Sequence, residues 1–199
     1  SSLVAMADYF IRLSSCSQSG FFLFFFEKLQ QRLLECKAKK QSTLLLGVSF
    51  ALLDFAEKFP MDLSGITVME TGGMKGRRAE MTRRELHKIL CEAFQAPGIH
   101  SEYGMTELFS QAYSRPVAGL EAFFKPGPLM RVYATEINDP FCPAEPNRPG
   151  VLNIVDLANL DSCSFIATED IGKVYPDGAF EVLGRLDAAE MRGCNLMVE

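Results

Sequence analysis

Over the first hundred residues the apolar positions follow two alternating patterns: short continuous runs, and runs spaced by three and four. Residues 21–26 (Phe-Phe-Leu-Phe-Phe-Phe) form a continuous apolar run that reads as a buried strand. Residues 27–38 carry Leu29, Leu33 and Cys36 at helical spacing. Residues 43–48 again read as a short buried strand. Leu52, Phe55, Ala56 and Phe59 then recur at i, i+3, i+4 and i+7, and Pro60 closes that helix. A second short strand over residues 66–69 runs into the turn Thr71-Gly72-Gly73. The best-marked helix spans residues 83–94. Thr82 and Glu85 form a capping box before it, Met81 and Leu86 stand at staple positions, and Pro97-Gly98 follow it. Strands alternating with helices at this spacing predict βαβ units and a parallel sheet.

After about Gly127 the texture changes. Residues 131–137, 151–157, 164–168 and 179–183 read as strands separated by turns. Residues 138–150 contain Pro140, Pro143, Pro146 and Pro149, which predicts an ordered loop. The expected architecture is therefore α/β: a parallel βαβ half over residues 1–126, then a β-rich half over 127–199.

Composition narrows the class. Of 199 residues, 48% are hydrophobic and 23% charged, which suits a globular core and excludes a disordered chain. The formal charge of −5, without a basic block, argues against nucleic acid as a partner. Half of the longest uncharged stretch, residues 13–26, is Ser, Gln, Cys and Gly, so it falls short of the roughly 18 apolar residues of a membrane helix. The six cysteines are scattered, with no C-x-x-C pair and no zinc-ligand spacing to His87 or His100. Free thiols in a reducing cytoplasm are the expectation. The chain begins Ser1-Ser2-Leu3, without Met, and is expected to be part of a longer protein.

Three segments could carry chemistry. The first is Gly72-Gly73-Met74, directly after a predicted strand. Glycines there let backbone approach a ligand at the carboxyl end of an open sheet, although a plain tight turn has the same composition. The second is Tyr103-Gly104-Met105-Thr106-Glu107. It combines an aromatic that can stack, a hydroxyl and a carboxylate, as a nucleotide with Mg²⁺ requires; a helix N-terminus capped by Thr106 and Glu107 is the competing reading. The third pairs Thr168-Glu169-Asp170-Ile171-Gly172 with Gly184-Arg185-Leu186-Asp187. Taken singly, Asp170 reads as a turn residue and Arg185 as a partner of Asp187 or solvent.

The order of these segments (G-G, Y-G-x-T-E, T-x-D-x-G, G-R-x-D-x-x-x-x-R-G) resembles the adenylate-forming superfamily of acyl-CoA ligases and their relatives. Residues 46–57, Leu-Gly-Val-Ser-Phe-Ala-Leu-Leu-Asp-Phe-Ala-Glu, and the ending Arg192-Gly193-Cys194-Asn195-Leu196 are similar to one branch of it. That branch is the acyl-protein synthetases, or long-chain-fatty-acid–luciferin-component ligases. The resemblance implies part of an adenylating large domain that uses ATP and Mg²⁺ to activate a carboxylic acid, most naturally a fatty acid. It implies that Tyr103 stacks on adenine and that Gly104 belongs to the same nucleotide site, with Gly72, Gly73 and Met74 at the adenine edge or at the acyl pocket. Thr106 would contact the α-phosphate and Glu107 would hold Mg²⁺. Asp170 would bind the ribose hydroxyls with help from Arg185, and Asp187 would mark a hinge.

The same resemblance makes Cys194 the acceptor of the acyl group as a thioester, passed on to an acyl reductase subunit. A nucleophilic thiolate that later leaves again suits that step, and Arg192 would assist by lowering its pKa. The sequence departs from the superfamily pattern in three places. No Ser/Thr/Gly-rich phosphate loop precedes Gly72, Glu169 replaces the usual Gly of T-G-D-x-G, and the chain stops about a dozen residues after Asp187. The N-terminal phosphate-loop region and the C-terminal small domain are therefore expected to lie outside this chain. Two alternatives stand beside this reading. One is an aryl- or acyl-coenzyme A ligase of the phenylacetate-CoA ligase type, and the other is a non-catalytic nucleotide-binding fragment.

Overall fold

The computed structural model describes residues 2–74, 76–79, 81–116 and 123–186. These fall into two compact units, one ending at Ile99 and one beginning at His100. The change of texture near Gly127 lies within the second.

The first unit is the α/β part. It contains helices α1 (Ser2–Ser14), α2 (Phe26–Ala38), α3 (Ser49–Lys58) and α4 (Arg83–Phe94). Strands β1 (Leu44–Val48) and β2 (Thr67–Thr71) pair in parallel, Leu45 opposite Val68 and Val48 opposite Thr71, with α3 as the connection between them. The three-and-four spacing on α3 and α4 turns Leu52, Phe55, Leu86, Leu90 and Phe94 onto one core with Leu45 and Val68. Phe26 from α2 and Phe94 from α4 meet Phe55 at ring separations of 5.6 and 5.8 Å.

Helix α4 starts as its capping box predicts. Thr82 Oγ1 accepts from Glu85 N at 3.2 Å, and Glu85 Oε2 accepts from Thr82 N at 2.8 Å. Met81 and Leu86 both join the core. The Thr82 amide and hydroxyl, bonding to the Glu85 carboxylate, hold it below its ordinary pKa. Thr82→Ala is expected to lower stability by about 1 kcal/mol in urea denaturation, because one helix-end donor loses its partner.

One expectation is corrected in this unit. Residues 21–25 are a loop with a turn, not a buried strand; Phe24 is 85% exposed and Leu23 74%. A continuous apolar run looks the same in either setting, and here only its last member, Phe26, enters a helix and the core. Helix α1, which the apolar spacing does not single out, leaves Tyr9, Phe10 and Leu13 exposed.

The second unit is the β-rich part, an antiparallel sheet with strand order β3-β4-β5-β10-β9-β8-β6-β7. The strands are β3 (His100–Tyr103), β4 (Ala112–Ser114), β5 (Phe124–Pro126), β6 (Met130–Glu136), β7 (Asp139–Pro143), β8 (Gly150–Asp156), β9 (Phe165–Val174) and β10 (Phe180–Arg185). Alternation along β6 buries Met130, Val132 and Ala134 against Leu152, Ile154, Phe124 and Phe180. The proline-rich stretch contains a strand after all, β7. It lies at the end of the strand order with every residue exposed, a place where Pro140 and Pro143 cost no ladder hydrogen bond on the open side.

The observed fold is thus mixed α/β, a parallel βαβ start followed by an antiparallel β-rich half, as the pattern predicts.

Candidate active site

The T-x-D-x-G and G-R segments are neighbouring strands. β9 and β10 pair antiparallel from Val174 opposite Phe180 to Gly172 opposite Val182, and then the register shifts by one, so that Gly184 faces Ile171 and Arg185 faces Asp170. Without the extra residue, Gly184 would face Asp170 and Arg185 would fall one place further along, on the other face. The bulge is what brings the guanidinium to the carboxylate: Arg185 Nε lies 3.3 Å from Asp170 Oδ1, and Nη2 lies 3.9 Å from Glu169 Oε2.

The other motif residues have structural reasons of their own. The Thr168 hydroxyl donates to Leu152 O at 2.7 Å and accepts from Asp170 N at 3.0 Å, so it fixes the backbone that carries Asp170. A β-carbon on Gly172 would lie 2.1 Å from the Glu181 carbonyl oxygen. Gly172→Ala is therefore expected to push β9 and β10 apart and cost about 1–3 kcal/mol in chemical denaturation, the usual penalty for overfilling a packed site.

Tyr103, at the end of β3, completes the cluster from across the sheet. Its hydroxyl donates to Asp170 Oδ2 at 2.7 Å, and its ring packs on Phe124 and Phe180 at 5.7 and 5.3 Å. Burial pushes the phenol well above its ordinary pKa, and the Asp170 carboxylate pushes it further. Tyr103 is consequently a neutral donor at all physiological pH. Tyr103 and Arg185 occupy two of the roughly four lone-pair sites on the Asp170 carboxylate, which leaves acceptor capacity for further donors. A carboxylate, a phenol ring and a half-exposed guanidinium thus meet in one place, a set that can accept from vicinal hydroxyls and stack a planar ring.

The segment after Tyr103 is a turn, not the start of a helix. Gly104, Thr106 and Glu107 are exposed in it. Its shape is set from β8 and the short 3₁₀ helix that follows, Leu157–Asn159. Asp156, fully buried, accepts from Phe109 N, Ser110 N and Ser110 Oγ at 2.8, 2.8 and 2.6 Å, and from Ala158 N at 3.1 Å. Asn159 Nδ2 donates to Glu107 O at 2.6 Å. Asp156 and Asn159 are the residues that sequence reasoning missed. Their only local sign is a polar pair closing an apolar strand, and their partners in the turn lie 46 to 52 residues away.

In the first unit, Gly72 leaves β2 at φ +70°, a left-handed conformation that favours glycine. Gly72 and Gly73 are exposed, while Met74 is buried in the core of that unit. Ser49 Oγ lies 2.9 Å from Gly72 O. Cys194, together with Asp187 and Arg192, lies outside the described residues.

Among the described residues no group of three or more His, Cys, Asp or Glu side chains is disposed to hold a metal, and no helix is long and apolar enough to cross a membrane. An exposed carboxylate such as Glu107 still fits Mg²⁺, which takes one or two carboxylates and completes its shell with water and phosphate.

No family profile matches the chain, and no curated protein does. Solved structures do. A mutant coronafacic acid ligase from Pectobacterium brasiliense superposes with a TM-score of 0.58 at 18% identity, over 80% of this chain and 32% of that one. MatB from Rhodopseudomonas palustris, solved with ATP, gives 0.53 at 16% identity, over 78% and 33%. O-succinylbenzoate coenzyme A synthetase from Bacillus subtilis, in complex with ATP and magnesium ion, gives 0.53 at 19% identity, over 81% and 34%. The chain spans about a third of the length of these structures. Over those spans its fold resembles part of these ligases.

Proposed function

We propose that this chain forms part of an ATP-dependent ligase that activates a fatty acid as its adenylate and transfers the acyl group to a protein thiol. The observation that carries the nucleotide reading is the cluster Tyr103–Asp170–Arg185, assembled by the bulged register of β9 and β10. Asp170 accepts from the ribose diol while Arg185 holds its charge in place. Tyr103, fixed by its hydroxyl and by Phe124 and Phe180, offers its ring edge and remaining face to adenine. Gly104, exposed beside it, keeps that approach open.

Thr106 sits on the exposed turn to meet the α-phosphate, and Glu107 on the same turn holds Mg²⁺, which supplies charge neutralisation at the phosphates. The structure of O-succinylbenzoate coenzyme A synthetase in complex with ATP and magnesium ion, which shares this fold, supports the nucleotide reading. In the reaction the acid's carboxylate oxygen attacks the α-phosphorus and pyrophosphate leaves. The Cys194 thiolate then attacks the acyl carbonyl, AMP leaves, and the thioester is handed to an acyl reductase partner. What the protein contributes is positioning and charge stabilisation.

The experiment is acid-dependent ATP–pyrophosphate exchange on the intact protein with fatty and aromatic acids, followed by acyl labelling of Cys194→Ser. Exchange with long-chain acids is expected in both proteins, while the hydroxylamine-sensitive label is expected only in the wild type. Exchange with aromatic acids and product formation on coenzyme A would move the assignment to an acyl-coenzyme A ligase. No exchange with any acid would remove both readings and leave a nucleotide-binding fragment.

A further inference from the structure

Thr106 and Glu107 occupy the two corners of a tight turn in the second unit. Leu108 N donates to Met105 O at 3.1 Å, which closes a β-turn around them, and the Leu108 side chain packs on the core of that unit. Both corner residues are exposed, so burial does not fix them and the backbone of the turn must. The peptide that joins Glu107 to Leu108 is held at both of its polar groups. Its N–H is the one that closes the turn, and its carbonyl accepts from Asn159 Nδ2 at 2.6 Å. That peptide cannot rotate without losing a hydrogen bond.

Asn159 has the chemistry this grip requires. It is 4% exposed. Its amide nitrogen carries two protons, and two carbonyls receive them, Glu107 O at 2.6 Å and Cys163 O at 3.0 Å. Its Oδ1 accepts from Ser162 Oγ at 2.6 Å, which settles which end of the amide faces the turn. The segment that bears Asn159 is anchored in its turn: Leu157 N donates to Leu129 O at 2.9 Å, and Asp156 N to Ser164 O at 2.8 Å. An aspartate at this place would have the same size but no N–H to offer, and it would set a charge against both carbonyls.

We infer that Asn159, oriented by Ser162, is a positioning residue for the phosphate end of the nucleotide: it holds the Glu107 peptide so that the turn presents Thr106 and Glu107 together. This rests on the ligase reading above. It divides the work within one unit. Tyr103, Asp170 and Arg185 hold the nucleoside, and Asn159 sets the turn that meets the phosphates and Mg²⁺.

The test uses the intact protein with Asn159→Asp, which keeps the volume, and Ser162→Ala, at an exposed position where only a hydroxyl is removed. Calorimetry without acid measures binding of Mg²⁺-ATP and of adenosine, and hydrogen exchange on the nucleotide-free protein follows the Leu108 amide. In Asn159→Asp the Kd for Mg²⁺-ATP and the exchange rate at Leu108 are expected to rise about tenfold, as for loss of one hydrogen bond, while the Kd for adenosine changes by less than about twofold. Ser162→Ala should show the same pattern at about threefold, with the melting temperature of the wild type, and it carries the test should Asn159→Asp fold poorly. Unchanged Mg²⁺-ATP affinity in both variants, even with faster exchange at Leu108, would overturn the inference. So would an equal loss of adenosine and Mg²⁺-ATP affinity, and either result leaves the ligase reading intact. A wild-type protein that binds neither ligand would overturn the ligase reading, and this inference with it.

Discussion

Asp156→Ala is expected to destabilise the second unit by about 3–5 kcal/mol, as when one partner of a buried charged network is removed. The side chain is fully buried and accepts from four donors, three of them in the turn after the Tyr103 motif. Alanine removes the acceptor that all four donors share. The loss should appear first as release of the Thr106–Ser110 turn, because Phe109 and Ser110 are tied down by this carboxylate. Hydrogen exchange at the Phe109 and Ser110 amides, alongside urea denaturation, checks both parts.

The effect also has a pH dependence. Burial pushes the Asp156 carboxyl up, but the bonds from the Ser110 hydroxyl and from the Ser110, Ala158 and Phe109 amides outweigh it and hold the group below its ordinary value. The folded protein thus binds this proton less readily than the unfolded chain does. Its contribution is complete above about pH 4 and is lost as the pH falls through the lower folded value. The stability difference between wild type and Asp156→Ala should accordingly shrink on acidification and should not shrink on going alkaline.

Asp170→Asn is the second large effect, and here the loss is functional. The substitution keeps the shape but removes the charge that Arg185 faces and one acceptor that Tyr103 or a ribose hydroxyl needs. Charge-assisted hydrogen bonds of this kind are worth about 1.5–3 kcal/mol, so kcat/KM for ATP in exchange is expected to fall about 10–100-fold. A change independent of activity should accompany it. With the neighbouring carboxylate gone, burial and the Glu107 charge still raise the Tyr103 pKa but the Asp170 contribution disappears, and the phenol should ionise at lower pH in an ultraviolet titration.

How far these features could be read from sequence depends on the distance over which each is encoded. The capping box of α4 is local, since Thr82 and Glu85 are three residues apart, and the helix begins where they place it. The helical faces of α2, α3 and α4 and the alternation in β6 are equally local, and they sort the chain into its α/β and β-rich parts. Residues 21–25 and strand β7 show what such patterns omit. Hydrophobicity does not say which surface a run will meet, and prolines that end a central strand are harmless at an edge. The site is split in the same way. Tyr103, Asp170 and Arg185 are visible as motifs, but the one-residue bulge that unites Asp170 with Arg185 is a property of two strands together. Asp156 and Asn159 are invisible for the same reason, because their partners in the turn lie 46 and 52 residues away and only the folded chain brings them into contact.

The proposed nucleotide site depends on Asp170 binding a ribose diol beside Tyr103. The most direct measurement is competitive binding of ATP, 2′-deoxy-ATP and 3′-deoxy-ATP to the intact protein and to its Asp170→Asn variant. The account predicts that each missing hydroxyl weakens binding to the wild type about tenfold, and that the variant binds all three nucleotides alike. Equal affinity of the wild type for the three nucleotides, or discrimination that survives unchanged in Asp170→Asn, would contradict it.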